Sequence, residues 1–482
     1  MMDVCHGEAE GEGVCASACR FTRTELGAWI EDPKFVASLH CVACGHHINR
    51  HGGAAFSGGT ASARDEDLTD RRPAPSQSSV SESGRLVLVM VGLPARGKSY
   101  IAKKLERWLL WMGHKVKVFN VGNYRRTMVG TGQDSSYFDP HKEENVQQRK
   151  QLAHHALTDL FRWLDAGGNV AIFDATNTTV QRREWVVEQC IENRAHPLFI
   201  ECICNDQSVI QSNVKETKLS SPDYVGVSEH DATRDFLDRI AQYEKTYETV
   251  DEPQLSYVKL IDLGRQLICN HIYGYLPWHV TFFAANLHPR PRPIFLVRHG
   301  ESENNAVGAT GGNTSLTTRG TEFSQNLSVW LESRLGGATC SVWTSTLKRA
   351  MQTAKPLKAL ALHPIAWKAL DAIDVGECHG MTYAAMEASI PDFNPTCITW
   401  RYPRGESFQD VIHRLEPVIM ELERQRTAVV IIAHLAVLRS LMAYLTGSPT
   451  EEAPTIPLTS HELIELNPKA YGCQVNRHFL GP

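Results

Sequence analysis

At 482 residues the chain exceeds one ordinary core, so at roughly 100–200 residues per domain two large domains with additional sequence are expected. Hydrophobic content of 42% and charged content of 21% are globular values that exclude wholesale disorder. The net charge of −5, from 49 basic against 54 acidic residues, argues against nucleic acid as the main partner.

In chain order, residues 1–51 form a Cys/His-containing extension. Its Cys41-Val-Ala-Cys44-Gly-His46-His47 cluster has ligand types compatible with zinc, although the weak patterning around it favours incidental thiols. No apolar leader follows Met1, the longest relevant apolar run (Leu86–Val91) is strand-sized, and the 13 cysteines read as reduced thiols of a cytoplasmic protein. Residues 52–84 are rich in Gly, Ala, Ser and Pro and read as a low-complexity linker. Over 85–290 short apolar runs alternate with helix-length amphipathic stretches. Strands are predicted at Leu86–Val91, Val116–Asn120, Val170–Asp174 and Leu198–Cys204, with helices at Ser99–Met112 and Asn145–Leu164. The pattern restarts after Pro289, Pro291 and Pro293. Strands are predicted at Ile294–Val297, Ser341–Thr344 and Ala428–Ala433, and helices at Gly320–Ser333 and Phe408–Arg424. Such alternation predicts an α/β chain: a doubly wound parallel sheet over 85–290, then a second α/β domain over 291–482.

Gly92-Leu93-Pro94-Ala95-Arg96-Gly97-Lys98-Ser99 is a P-loop, set between a predicted strand and a predicted helix. Its backbone N–H groups suit phosphates, Lys98 a transferring phosphoryl group and Ser99 a Mg²⁺ ion, which points to ATP. Asp174 ends a strand, where parallel-sheet enzymes place ligands, and Arg125, Arg149, Arg182 and Arg239 are candidate sugar-phosphate cations.

With the Phe119–Arg126, Phe173–Thr179 and Lys218–Tyr224 stretches, this half resembles 6-phosphofructo-2-kinase. That enzyme is the kinase part of the bifunctional 6-phosphofructo-2-kinase/fructose-2,6-bisphosphatases, and the resemblance to them extends in the same segment order over about 85–475. The resemblance implies ATP-dependent phosphorylation of the 2-hydroxyl of fructose 6-phosphate, and a homodimer. Carried over by motif, Lys98, Asp174, Cys204 and Lys218 are catalytic positions. Asn213 and Lys218 lie on the nucleotide side, and Arg125, Arg149, Thr176, Arg182, Arg239 and Tyr243 contact the sugar phosphate.

The second half carries Arg298-His299-Gly300 off one strand and His434 off another. With Arg349 it resembles the histidine phosphatase and phosphoglycerate mutase-like superfamily. A neutral imidazole can attack phosphorus and carry a phosphohistidine, while arginines hold the phosphoryl oxygens. The resemblance makes His299 the nucleophile and His434 its partner, with Arg298, Asn305, Gly311, Arg349 and Tyr383 as substrate contacts. This sequence departs from the family's pattern at several places. Its acid glutamate falls on Ala372, its phosphate-clamping cations on Phe393 and Cys397, a loop arginine on Ala309, and a glutamine on Leu435. The expected activity is therefore kinase with a weakened bisphosphatase. The alternative is a monofunctional kinase with an inactive phosphatase-like regulatory domain. Asp371 is the nearest carboxyl group in sequence, but one residue's shift along a strand reverses direction.

Overall fold

The computed structural model describes residues 21–22, 84–215, 222–262, 264–287, 292–359, 364–469 and 472–481. The first sheet has seven strands: β1 (Phe21–Thr22), β2 (Leu86–Val91), β3 (Val116–Asn120), β4 (Val170–Asp174), β5 (His196–Ile203), β6 (Tyr257–Ile261) and β7 (Gln266–Asn270). They lie in the order β1-β7-β6-β5-β2-β4-β3. The five strands from β6 to β3 are parallel, and β7 and β1 each run antiparallel to the neighbour before them.

Two-sided burial explains the central apolar run. Leu88 and Met90 of β2 face one core, with Leu105 and Trp108 of the helix Lys98–Trp111; Val87, Val89 and Val91 face the other, with Leu157 and Leu160 of the helix Glu143–Asp165. The chain leaves β2 in one direction for β3 and β4 and in the other for β5. The carboxyl ends of β2 and β5 thus frame a topological switch point.

The second sheet contains β8 (Ile294–Arg298), β9 (Cys340–Thr344), β10 (Ile365–Ala366), β11 (Ala428–Ala433), β12 (Glu462–Pro468) and β13 (Cys473–Phe479), in the order β10-β9-β11-β8-β12-β13. The first four are parallel; β12 and β13 close the edge antiparallel. Both sheets are thus parallel-dominated α/β sheets, as expected, with antiparallel strands added at one edge. The connections at 262–265 and 469–472 are hairpin-length, too short for a parallel crossover.

One apolar core runs from the first sheet into the second. Trp108 stacks on Phe283 at 4.6 Å, and that cluster continues through Val418 and Leu441. Polar bonds sit inside the same junction. Lys104 Nζ reaches both oxygens of Glu423 at 2.7 and 2.9 Å, Tyr444 Oη donates to Glu423 at 2.7 Å, and Trp111 Nε1 donates to the Ser440 carbonyl at 2.9 Å. Among the described residues no helix is long and apolar enough to cross a membrane.

Candidate active sites

The first site lies at the carboxyl end of the first sheet. Gly92 follows β2 with φ 129°, and a Cβ there would lie 2.6 Å from the Cys202 carbonyl oxygen of β5, so the turn requires glycine. Gly97, at φ 84°, precedes the helix Lys98–Trp111, and no side chain caps that helix. The positive end of that helix faces the P-loop cavity, the feature that anion binding uses. Lys98 folds back, donating from Nζ to the Leu93 carbonyl at 2.6 Å, and Asn213 Nδ2 donates to the Ala95 carbonyl at 3.0 Å.

Around this loop is a cavity of 1210 Å³ lined by Pro94, Ala95, Arg96, Gly97, Lys98 and Ser99, and also by Arg125, Arg149, Asp174, Thr176, Arg182, Cys204, Asn213, Arg239 and Tyr243. Residues scattered over 150 positions are brought together because β2, β3, β4 and β5 all end there. Register places Asn120 beside Asp174, and Asn120 Nδ2 donates to the buried carboxylate at 2.5 Å. The Thr176 carbonyl accepts from Gly92 N at 2.9 Å, tying the aspartate loop to the P-loop.

Four arginines form the opposite wall. Arg125 pairs with Asp223 at 2.5 Å, and the Arg239 guanidinium lies 3.6 Å from the Phe138 ring centre, against which Tyr243 also packs. Arg149 donates to the carbonyls of Phe138 and Asp139 at 3.3 and 3.4 Å, and Arg182 stands over Trp185 at 4.5 Å. Three buried donors, Arg125 Nε and Nη1 and Arg239 Nε, have no hydrogen-bond partner among the described residues. Burial lowers the Arg182 guanidinium to about 10 and lowers Arg239 as well, since solvation is lost without a full set of acceptors. A wall with spare cationic donors fits a dianionic phosphate ester. Burial also pushes up the Cys204 thiol, which favours its neutral form.

Asn120, Asp223 and Phe138 carry this architecture and were not singled out in the sequence. Asn120 and Asp223 fall inside the quoted motif stretches, which was the available signal; Phe138 had none. Lys218 lies outside the described residues, as do Cys41, Cys44, His46 and His47. Among the described residues no group of three or more His, Cys, Asp or Glu is arranged to hold a metal.

The second site is built by adjacent strand ends. Arg298 and Ala433 are register partners on β8 and β11, so the next residues, His299 and His434, emerge side by side with ring centres 4.9 Å apart. Arg349 Nε donates to His299 Nε2 at 3.1 Å and its Nη2 approaches His434 Nδ1 at 3.3 Å, while Nη1 donates to the Gly312 carbonyl at 2.7 Å. His299 Nδ1 lies 2.7 Å from the Gly300 carbonyl. Since a carbonyl only accepts, the proton sits on Nδ1 and the lone pair is on Nε2, where it accepts from Arg349 Nε. His434 Nε2 is 2.7 Å from Ser345 Oγ, a partner that sequence reading missed.

Burial, then the Arg349 charge, lowers His299 to about 3, and burial with His299 and Arg349 lowers His434 well below the usual imidazole range. Both rings are neutral at physiological pH. Arg298 donates to Ser460 Oγ at 3.2 Å. The remaining expected contacts stand further back. Asn305 forms a reciprocal helix cap with Ser302; Gly311, at φ 69°, lies under His379, where a Cβ would meet the ring at 2.1 Å; Tyr383 is exposed at the rim.

The segment at the expected acid is fixed by Arg414, whose guanidinium donates to the carbonyls of Ala369, Asp371 and Ala372. The Asp371 carboxylate accepts from Thr346 N and Oγ1 at 2.7 and 2.8 Å and from Lys368 Nζ at 2.7 Å, and makes no hydrogen bond to either imidazole among the described residues. Phe393 packs edge-on against Tyr383 and Trp400, while Cys397 is exposed.

Comparison with known proteins follows the same division. The chain matches 6-phosphofructo-2-kinase over residues 74–291 and the histidine phosphatase superfamily (branch 1) over residues 294–480. It is 44% identical over 402 residues to 6-phosphofructo-2-kinase/fructose-2,6-bisphosphatase 4 of Rattus norvegicus, covering 82% of this chain and 85% of that protein. The 6-phosphofructo-2-kinase/fructose-2,6-bisphosphatase of Arabidopsis thaliana is 43% identical over 409 residues, 83% of this chain and 54% of that longer protein. Fructose-2,6-bisphosphatase of Saccharomyces cerevisiae is 42% identical over 402 residues, 82% of this chain and 88% of that one. Among solved structures, mycobacterial hydrolase 1 is similar at a TM-score of 0.36, with 23% identity over 40% of this chain and 100% of that chain.

Proposed function

The chain belongs to the 6-phosphofructo-2-kinase/fructose-2,6-bisphosphatase family, and on that premise we propose that it makes fructose 2,6-bisphosphate from fructose 6-phosphate and ATP and hydrolyses it through a phosphohistidine. The observation that carries the kinase half is the cavity in which the P-loop, Asp174 and four arginines meet. The amides of Ala95–Ser99 receive the nucleotide phosphates, and Lys98 exchanges the Leu93 carbonyl for the transferring phosphoryl group. Mg²⁺ bound with the nucleotide supplies further charge neutralisation, and Ser99, beside Lys98 on the cavity wall, is the residue that fits it. Asp174, held by Asn120, is aimed at the sugar hydroxyl, while Arg125, Arg149, Arg182 and Arg239 with Thr176 and Tyr243 hold the 6-phosphate and the ring. Lys218 adds a second cation for the transition state and Cys204 borders the site.

Hydrolysis needs His299 as nucleophile, with Arg298, Arg349 and His434 gathering the phosphoryl oxygens. With Ala372 at the acid position the alkoxide leaves unprotonated, so hydrolysis is slow relative to synthesis; loss of a general acid costs about 10²–10⁴-fold. The domain boundary is placed near residue 290, after a Cys/His extension and linker, and the enzyme is assigned as a cytoplasmic homodimer. Lys98→Met tests the kinase reading. Synthesis should fall by about 10²–10³-fold or more, with phosphohistidine formation at His299 unchanged. Near-normal synthesis would remove the P-loop from the reaction.

A further inference from the structure

The charges acting on the two imidazoles are all positive: Arg349 and Arg298 on both, with Arg414 also acting on His434. Among the described residues no carboxylate makes a contact with His299, His434 or Arg298. Glu301, two residues past His299, accepts from Thr317 Oγ1 at 2.9 Å, and Asp371, beside Ala372, is held by Thr346 and Lys368. Asp374 is 3.4 Å from His379 Nε2 and accepts from Gly376 N at 2.9 Å. His379 has no proton to offer at its other nitrogen, because Nδ1 accepts from Gly312 N at 3.2 Å. Among the described residues the site therefore keeps His299, His434, Arg298 and Arg349 for a phosphoryl group and has no carboxyl group in contact with them to protonate what leaves. An aromatic cluster neighbours the site through Tyr383, whose phenol acts on Arg298. Tyr383 and Phe393 lie 6.2 Å apart, and Phe393, Trp400 and Tyr402 continue the cluster at 5.1 and 4.8 Å.

We propose that the distal site is a phosphatase for monoesters of weakly basic leaving groups, aryl phosphates first among them, that selects by leaving-group basicity. This rests on the phosphohistidine reading and narrows it. In the first step the His299 Nε2 lone pair forms a P–N bond, the P–O bond breaks, and the oxygen departs with the electron pair as a phenolate. In the second, water attacks phosphorus, the P–N bond returns its pair to Nε2, and the water proton passes to solvent. A phenolate is stable enough to leave alone, and the Tyr383–Phe393 surface offers its ring a stacking face. A sugar alkoxide needs the missing proton.

The test is first-turnover kinetics of the full chain with a series of para-substituted phenyl phosphates and one alkyl sugar phosphate, with label trapped on His299. The rate should fall steeply as the leaving group becomes more basic, with the alkyl ester about 10²–10⁴-fold below p-nitrophenyl phosphate. Ala372→Glu should raise the alkyl rate alone. Trapping on His299 at rates independent of the leaving group would overturn this inference and leave the phosphohistidine reading standing. A flat series that turns steep in Tyr383→Phe would identify that phenol as the acid and overturn it equally. No label on His299 from any ester would end both.

Discussion

At the residue scale, each site depends on a few groups whose charge state is set by burial. Arg239 is buried against Phe138 with Nε unsatisfied among the described residues, and is proposed to receive the anion of the sugar phosphate. Arg239→Ala should raise the apparent KM for fructose 6-phosphate on the order of 10–100-fold, the weight of a charge-assisted bond, with KM for ATP little changed. Steady-state kinetics in each substrate check this, and an unchanged sugar-phosphate dependence would remove Arg239 from the site. The distal histidines make a prediction about pH. His299 is held near 3 against 6.5 for a free imidazole, so attack should show no acid limb from imidazole protonation between about pH 5 and 8. The same shift has a cost in acid. Below pH 6.5 the unfolded chain binds protons that the folded site refuses, so folding free energy should decline as pH falls from 6.5 towards 3. Chemical denaturation across that range measures it, and His299→Gln should flatten the slope.

At the element scale, what the sequence made legible was local. Gly92–Ser99 could be read because every part of a P-loop lies within eight residues, and Leu86–Val91 because a strand buried on both faces is apolar without interruption. The helix Phe408–Arg424 was read from periodicity despite Pro417, and it forms: its strongly apolar face outweighs an interior proline that costs about 3 kcal/mol. The antiparallel edges were not legible. β7 and β13 are only partly buried and carry no continuous apolar run. Nor were Asn120–Asp174, Arg125–Asp223 or Ser345–His434, partners 54, 98 and 89 positions apart that only the fold introduces.

The helix that follows the P-loop also has a face that the motif does not explain. Its Lys104 and Arg107, with Arg292, surround Glu423 of the distal half at 2.7, 3.8 and 4.0 Å. Burial alone would raise the Glu423 carboxyl, but these three cations hold it at about 2, so it is ionised. Glu423→Gln leaves buried cations without their counter-charge and should cost about 3–5 kcal/mol, read as a large drop in melting temperature of the full chain. The variant Lys104→Met/Glu423→Leu should recover part of that loss. Unchanged stability in Glu423→Gln would show that the junction is not held by this cluster.

At the scale of the whole molecule, the two halves share a core, and the P-loop helix is a wall of both. This gives the distal domain a reason to persist whatever its turnover, since removing it would expose Trp108, Trp111 and the Lys104–Glu423 pair. The proposed excess of synthesis over hydrolysis has a chemical basis. The first cavity is lined by Lys98, Ser99, Asp174, Cys204 and the four arginines, whereas the distal site pairs His299 with His434 and has alanine at position 372, where the family's acid is expected. The most direct measurement follows both reactions in one preparation: synthesis of fructose 2,6-bisphosphate from fructose 6-phosphate and ATP, and hydrolysis of 2-labelled fructose 2,6-bisphosphate with trapping at His299. A bifunctional enzyme lacking its acid should synthesise faster than it hydrolyses, carry label on His299, and gain hydrolysis by about 10²-fold or more in Ala372→Glu without a change in synthesis. Hydrolysis as fast as synthesis in the unmodified chain, or synthesis that survives Lys98→Met, would contradict it.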